Sequence, residues 1–153
     1  MSDLRDLYQE VILDHSKHPR NFGEPGSFTC KADGHNPLCG DRLTVFLTVE
    51  DGIVKDLSFK GTGCAISTAA ASMMSETLEG KTLEEARQVF SKFHEMLTGD
   101  GDVPPEDLGK LAVFSGVREF PIRVKCATLA WHTLRAALNA DTETVTTEDG
   151  SLP

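Results

Sequence analysis

The first apolar positions of the chain are spaced as on one face of a helix, at intervals of three and four residues. This spacing predicts an amphipathic helix at the start of the chain. Pro19 should follow its end, because proline cannot continue a helix. A connector rich in proline and glycine comes next and is typical of turns. The apolar positions are Leu4, Leu7, Tyr8, Val11 and Ile12.

Three segments after the connector have the composition of β-strands, at residues 28–32, 43–49 and 53–59. The last two are joined by Asp51-Gly52, a dipeptide typical of tight hairpins, so they should pair antiparallel. Apolar and polar residues alternate along the middle segment, so one face of the sheet can cover a core. Helices must then supply the opposite layer of that core.

The second half of the chain has mainly helical periodicity. An alanine-rich run between Cys64 and Gly80 predicts one helix, and Thr82 with Glu85 resembles a capping box that opens another. A short helical piece should lie near residues 108–112, and a last helix should begin near Cys126. The expected architecture is therefore a small antiparallel sheet covered by helices.

The domain organisation follows from the length and from the end of the apolar pattern. The 153 residues, 39% of them hydrophobic, are enough for one domain with its own core. Residues 141–153 are rich in Thr, Glu and Asp and carry few apolar side chains. We expect a domain over residues 1–140, followed by an acidic, disordered tail over residues 141–153.

Charge and hydropathy exclude some partners. A net charge of −9 argues against nucleic acid as a partner, because binding to phosphates draws on clustered Lys and Arg. No stretch approaches the length of a bilayer-spanning helix, and the acidic start does not resemble a signal peptide. We therefore expect a cytoplasmic protein without a membrane partner. Cysteines in that compartment more often bind metals or react than form disulfides.

Cys39-Gly40-Asp41 places two metal ligands on either side of a glycine in a turn before a strand. Cys64 and Cys126 are expected near helix starts, where free backbone amides stabilise a thiolate. Three thiolates and one carboxylate would complete a tetrahedral zinc shell. The spacings contain no C-x-x-C pair, so the residues alone leave open whether each cysteine is instead a small buried side chain.

Two cations lie just before Cys126. Arg123 and Lys125 could balance the negative charge of a thiolate site or bind a leaving sulfur anion, or they could be solvated surface residues. Cys30 falls on the first predicted strand, and packing against the core is the better interpretation for it.

Four motifs in order resemble the IscU/SufU/NifU-N-terminal family of iron-sulfur cluster assembly proteins. They are LYQEVILDH at residues 7–15, HPRNFG at 18–23, NPLCGD at 36–41 and GTGCAIS at 61–67. The resemblance implies an α+β, SufE/NifU-like fold in which a three-stranded antiparallel sheet has helices packed on one face. It also implies that the three motif cysteines and the aspartate meet, as a site formed by Cys39, Asp41, Cys64 and Cys126.

Two features make the chain look most like the SufU branch. Lys125 precedes Cys126 where the scaffold branch has a histidine, and residues 98–116 form an extra segment. The SufU branch implies a zinc-dependent sulfurtransferase that takes persulfide sulfur from a SufS-type cysteine desulfurase, with a downstream scaffold or apo-protein as recipient. In this branch a desulfurase histidine would displace Cys39 from the zinc, and Cys39 would accept the sulfur.

Two other functions stay open from the sequence. The same ligands could carry a [2Fe-2S] cluster on Cys39, Cys64 and Cys126, as in a scaffold that transfers clusters to apo-proteins. The chain could also be a zinc-stabilised interaction module without sulfur turnover, in which the metal contributes folding energy. A thiol redox protein is disfavoured because the C-x-x-C motif is missing.

Overall fold

The computed structural model describes residues 2–99, 103–139 and 145–146 of the chain. The α-helices within them are α1 (Ser2–Lys17), α2 (Ala65–Leu78), α3 (Leu83–Thr98) and α4 (Pro121–Leu138). The β-strands are β1 (Cys30–Asn36), β2 (Asp41–Glu50), β3 (Ile53–Thr62) and β4 (Val145–Thr146). Two 3-10 segments, Pro105–Asp107 and Gly109–Glu119, connect α3 to α4.

The sheet is built on an antiparallel meander of β1, β2 and β3, as predicted. Cys30 pairs with Leu47 and Asn36 with Asp41 at the two ends of the β1–β2 ladder. The Asp51-Gly52 turn joins β2 to β3, in the predicted hairpin. The α+β class with this antiparallel sheet and its covering helices is therefore confirmed, and solved structures described below share it.

Alternation along β2 decides which face of the sheet covers the core. Leu43, Val45 and Leu47 are buried on the face that packs against α2 and α4. Phe46 points to the other face, where it is also buried, because the Phe28 ring lies 5.1 Å away and the Lys60 ammonium 5.6 Å from its centroid. The helices thus shield the first three side chains from water, whereas Phe28 and Lys60 cover Phe46.

Aromatic rings fill the core between α3, α4 and the second 3-10 segment. Trp131 on α4 is fully buried and stacks on Phe93 of α3 at 5.0 Å. Phe93 in turn meets Phe114 edge-on at 5.7 Å. The extra segment noted in the sequence therefore contributes to the core through Phe114 and its buried neighbours in the second 3-10 segment.

Two elements differ from the sequence-based prediction. Strand β1 runs to Asn36 instead of ending at Ala32, because Gly34 lets α4 approach closely: a Cβ there would collide with the Thr133 side chain. Strand β4 falls within the predicted tail, and its two residues pair parallel with Gly34 and His35. The other residues of the predicted tail lie outside the described residues, so its disorder stays a prediction.

In the part of the chain that the structure describes, no helix is long and apolar enough to cross a bilayer. The four cysteines are all free of disulfide bonds.

Candidate thiolate and carboxylate site

The predicted site residues come together where the β1–β2 turn meets the starts of α2 and α4. Asp41 is the first residue of β2, and Cys39 lies in the turn before it. Cys64 follows β3 and caps the N-terminus of α2. Cys126 lies in the second turn of α4, which begins at Pro121. Four separate segments therefore contribute one side chain each.

Three of the four residues form a tight group. The ligand atoms of Cys39, Asp41 and Cys126 all lie within 4.8 Å of one another, and the two sulfurs are 3.1 Å apart. Cys64 adjoins the group from the Asp41 side, with its Sγ 3.9 Å from Asp41 Oδ2. Asp41 and Cys126 form a buried centre, at 0% and 1% exposed, whereas Cys39 and Cys64 are both half-buried.

Two glycines shape the backbone around Asp41. Gly40 has φ +72°, in the left-handed region that favours glycine, and so lets the turn bring Cys39 beside the start of β2. Gly63 packs against the carboxylate, because a Cβ on it would stand 2.7 Å from Asp41 Oδ1. That oxygen accepts a hydrogen bond from the Cys64 amide at 2.7 Å. The Asp41 carboxylate is thus held tightly on one side.

The thiols differ in their protonation. A hydrogen bond from the Cys126 thiol, with help from the Ser67 amide, lowers the pKa of Cys64 to about 7 against the cost of its burial. The Ser67 amide lies 3.4 Å from the sulfur, so the expected helix-start effect is present at Cys64. The same bond to Cys64, followed by burial, raises the pKa of Cys126.

The expectation that Cys126 also sits at a helix start is wrong. Because α4 begins at Pro121, Cys126 lies beyond the first four residues, whose amides are free to donate. Its sulfur instead receives a hydrogen bond from the Asn36 side-chain amide at 3.4 Å. Cys126 is therefore positioned by the packing of α4 in the core and not by the free amides at the helix N-terminus.

Asn36 is a site residue that the sequence reasoning passed over. It ends β1, is 0% exposed, and its Nδ2 donates to both Asp41 Oδ2 at 3.3 Å and Cys126 Sγ. Its position inside the NPLCGD motif was the available signal. An amide is not among the usual ligands of zinc, so the sequence pattern marks the cysteines and the aspartate instead.

The two predicted cations are placed differently. Arg123 is exposed, and its guanidinium lies over the Phe120 ring at 4.7 Å. Lys125 is half-buried and directly precedes Cys126. Cys30 is half-buried and packs against the core, in line with the packing interpretation.

The donor set fits a zinc ion. Tetrahedral zinc with sulfur and oxygen ligands holds them about 3.3 to 3.8 Å apart. The 3.1 Å between Cys39 and Cys126 and the 3.9 Å between Cys64 and Asp41 bracket that spacing. Burial, soft sulfur donors and an amide that donates to Cys126 and Asp41 are features of a structural or reactive thiolate metal site.

Fold and site together define a small α+β domain that presents three cysteines and an aspartate at one edge of its sheet. The profile of the NifU-like N terminal domain matches residues 7–127, and the chain belongs to this family. The family expected from the four motifs is thereby confirmed, which places the chain among iron-sulfur cluster assembly proteins.

Curated relatives carry two kinds of name. The zinc-dependent sulfurtransferase SufU of Bacillus subtilis is 41% identical over 133 residues, covering 87% of this chain and 90% of that protein. The iron-sulfur cluster assembly scaffold protein IscU of Streptococcus pyogenes is 38% identical over 138 residues, covering 90% and 86%. Relatives with nearly the same identity to this chain are therefore named as a sulfurtransferase and as a scaffold.

Solved structures share the fold. A SUF-system protein of Fervidobacterium islandicum, described as a candidate iron-sulfur cluster assembly scaffold, superposes with a TM-score of 0.81 at 34% identity. That match covers 88% of this chain and 98% of the other. The N-terminal part of a NifU-like protein from Brucella abortus gives a TM-score of 0.80 at 26% identity and covers 89% and 94%.

Proposed function

We propose that this chain is a zinc-dependent sulfur acceptor that takes persulfide sulfur from a SufS-type cysteine desulfurase and passes it on to iron-sulfur cluster assembly. Zinc would be held by Cys39, Asp41, Cys64 and Cys126. The name of the Bacillus subtilis relative supports this reading, as does the fit of the donor set to zinc. A downstream scaffold or an apo-protein would be the recipient of the sulfur.

The observation that carries the proposal is that different structural elements hold the four residues. Asp41 and Cys126 are buried on a strand and a helix, and Cys64 caps a helix. Cys39 and Cys64 are both half-buried, but Cys39 lies in a turn beside Leu38, which is 55% exposed. A sulfur that must meet a partner's persulfide needs access and freedom to move, and Cys39 combines both.

The chemistry of the step is thiol exchange. The Cys39 thiolate attacks the outer sulfur of the desulfurase persulfide, and a new sulfur–sulfur bond forms on Cys39. The bond inside the donor persulfide breaks, and the donor cysteine leaves as a thiolate with the electron pair. Bound zinc supplies a positive charge that keeps the thiols ionised and holds the fold together. Lys125 directly precedes Cys126 in the chain and would add positive charge to the site.

The second candidate is a scaffold that assembles a [2Fe-2S] cluster on the same residues. It is favoured by the name of the Streptococcus pyogenes relative, at nearly the same identity. It is disfavoured by Lys125, because an ammonium cannot serve as a ligand unless it loses its proton. Metal analysis of the purified protein separates the two: about one zinc per chain supports the acceptor, and iron with acid-labile sulfide supports the scaffold.

The functional test compares single serine variants in a desulfurase assay. Cys39→Ser should keep most of its zinc yet fail to accelerate a SufS-type enzyme, whereas Cys64→Ser and Cys126→Ser should lose zinc and acceleration together. Cys30→Ser is the matched control, because Cys30 lies outside the site, and it should behave as wild type. Full acceleration by Cys39→Ser would contradict the proposal. No acceleration by the zinc-loaded wild type would favour the interaction module.

A further inference from the structure

We propose that Asn36 is a positioning residue of this site: its side-chain amide locks Cys126 and Asp41 together as the fixed half and leaves Cys39 as the movable half. This role deepens the proposed function and rests on it, because a movable Cys39 is useful only if Cys39 accepts the sulfur. The geometry that carries it is independent of the identity of the sulfur donor.

The amide of Asn36 connects residues that are remote in the chain. Its Nδ2 donates to Asp41 Oδ2 at 3.3 Å, five residues away, and to Cys126 Sγ at 3.4 Å, ninety residues away. A fully buried amide needs partners for its N–H groups, and here a carboxylate oxygen and a cysteine sulfur accept them. One side chain thereby ties the start of β2 to α4.

The same residue holds the Cys39 turn through the backbone. Its Oδ1 accepts a hydrogen bond from the Leu38 amide at 3.2 Å, and its carbonyl oxygen accepts one from the Cys39 amide at 3.3 Å. Asn36 therefore anchors the turn through two backbone amides, and the Cys39 side chain takes part in neither of these bonds.

This arrangement explains how one thiol could leave while the others stay. Once Cys39 swings out to meet a persulfide, the centre must be held by the remaining residues. Asn36 keeps two of them at their spacing during that interval. Partners behind metal ligands typically contribute a factor of about 10 to 100 in metal affinity, which sets the size of the expected effect.

The first experiment measures zinc affinity by competition with a chromophoric chelator. Asn36→Ala and Asn36→Ser should each bind zinc about 10- to 100-fold more weakly than wild type. The matched control is Asn21→Gly: the Asn21 amide also donates to a neighbour, Ser75 Oγ at 3.0 Å, and its φ of 56° suits glycine. This control should bind zinc within about twofold of wild type.

The thermal unfolding of the metal-free proteins separates positioning from general stability. If Asn21→Gly and the Asn36 variants unfold at similar temperatures but only the Asn36 variants lose affinity, the positioning role is supported. Zinc affinity of both Asn36 variants within about threefold of wild type would overturn it.

A second measurement uses the wild-type chain, so it does not depend on whether the variants fold. In 15N-labelled protein loaded with cadmium-113, a hydrogen bond from the Asn36 side chain to a metal-bound Cys126 sulfur should produce scalar coupling between the metal and the Asn36 amide protons. Metal coupled to Cys126 without any coupling to Asn36 would overturn the proposal. Neither readout uses sulfur transfer, so a wild-type chain that binds zinc but accepts no sulfur would remove the proposed function and leave this result standing.

Discussion

Replacing Gly63 by alanine tests how tightly the site holds its carboxylate. The added Cβ would stand 2.7 Å from Asp41 Oδ1, whereas ordinary contact begins at 3.4 Å, so the carboxylate must retreat by roughly 0.7 Å. Its hydrogen bond from the Cys64 amide, now 2.7 Å, would then exceed the normal range. The backbone itself tolerates alanine, because Gly63 does not need a positive φ.

The cost can be worked from that lost bond. A hydrogen bond to a buried charged group contributes about 1.5 to 3 kcal/mol, which corresponds to a fall in melting temperature of about 3 to 10 °C for a chain of this size. Displacing a ligand should also weaken zinc binding by about 10- to 100-fold. Differential scanning calorimetry and chelator competition measure the two effects.

The control for this substitution is Gly26→Ala. A Cβ at Gly26 meets nothing within 4 Å, and its backbone is not in the left-handed region. This variant should match wild type or be stabilised slightly, by up to about 1 kcal/mol. Zinc affinity and melting temperature of Gly63→Ala equal to those of Gly26→Ala would refute the placement of Asp41 against Gly63.

Two further predictions concern protonation and metal choice. Burial, then the nearby Arg20, lowers the pKa of His15, so its contribution to stability is complete above about pH 6.5 and is lost as the pH falls further. The free energy of unfolding, measured with urea, should therefore fall more between pH 7.5 and pH 5.5 for wild type than for His15→Gln. Equal falls would count against this. Lys125→His offers an imidazole beside Cys126 and should lengthen the lifetime of a [2Fe-2S] cluster after anaerobic reconstitution, followed by visible absorption, whereas unchanged decay would disprove it.

The fold was predictable where local chemistry and tertiary structure agree. The Asp51-Gly52 turn and the alternation along β2 are local signals, and both held in the structure. The predicted strand ended at Ala32, whereas β1 runs to Asn36 and contains Gly34, which makes room for Thr133 of α4. A contact between residues so distant in the chain leaves no trace in a local pattern.

The site residues also divide into those that local sequence predicts and those that depend on contacts between distant segments. The Cys39-Gly40-Asp41 turn could be read directly, because the glycine that bends it stands between the two ligands. The convergence of Cys64 and Cys126 on that turn depended on resemblance to a family, since no spacing rule connects three distant segments. The NPLCGD motif marked Asn36, but its contact with Cys126 could not be predicted, because the two residues are ninety positions apart.

The central claim is that Cys39 accepts the sulfur, and locating the persulfide tests it most directly. The zinc-loaded chain is incubated with a SufS-type desulfurase and cysteine, alkylated, digested and analysed by mass spectrometry. The account predicts the mass of one added sulfur atom on the peptide that contains Cys39, and none on that peptide when the desulfurase is omitted. Added sulfur found reproducibly on the peptides of Cys64 or Cys126, with Cys39 unmodified, would contradict it.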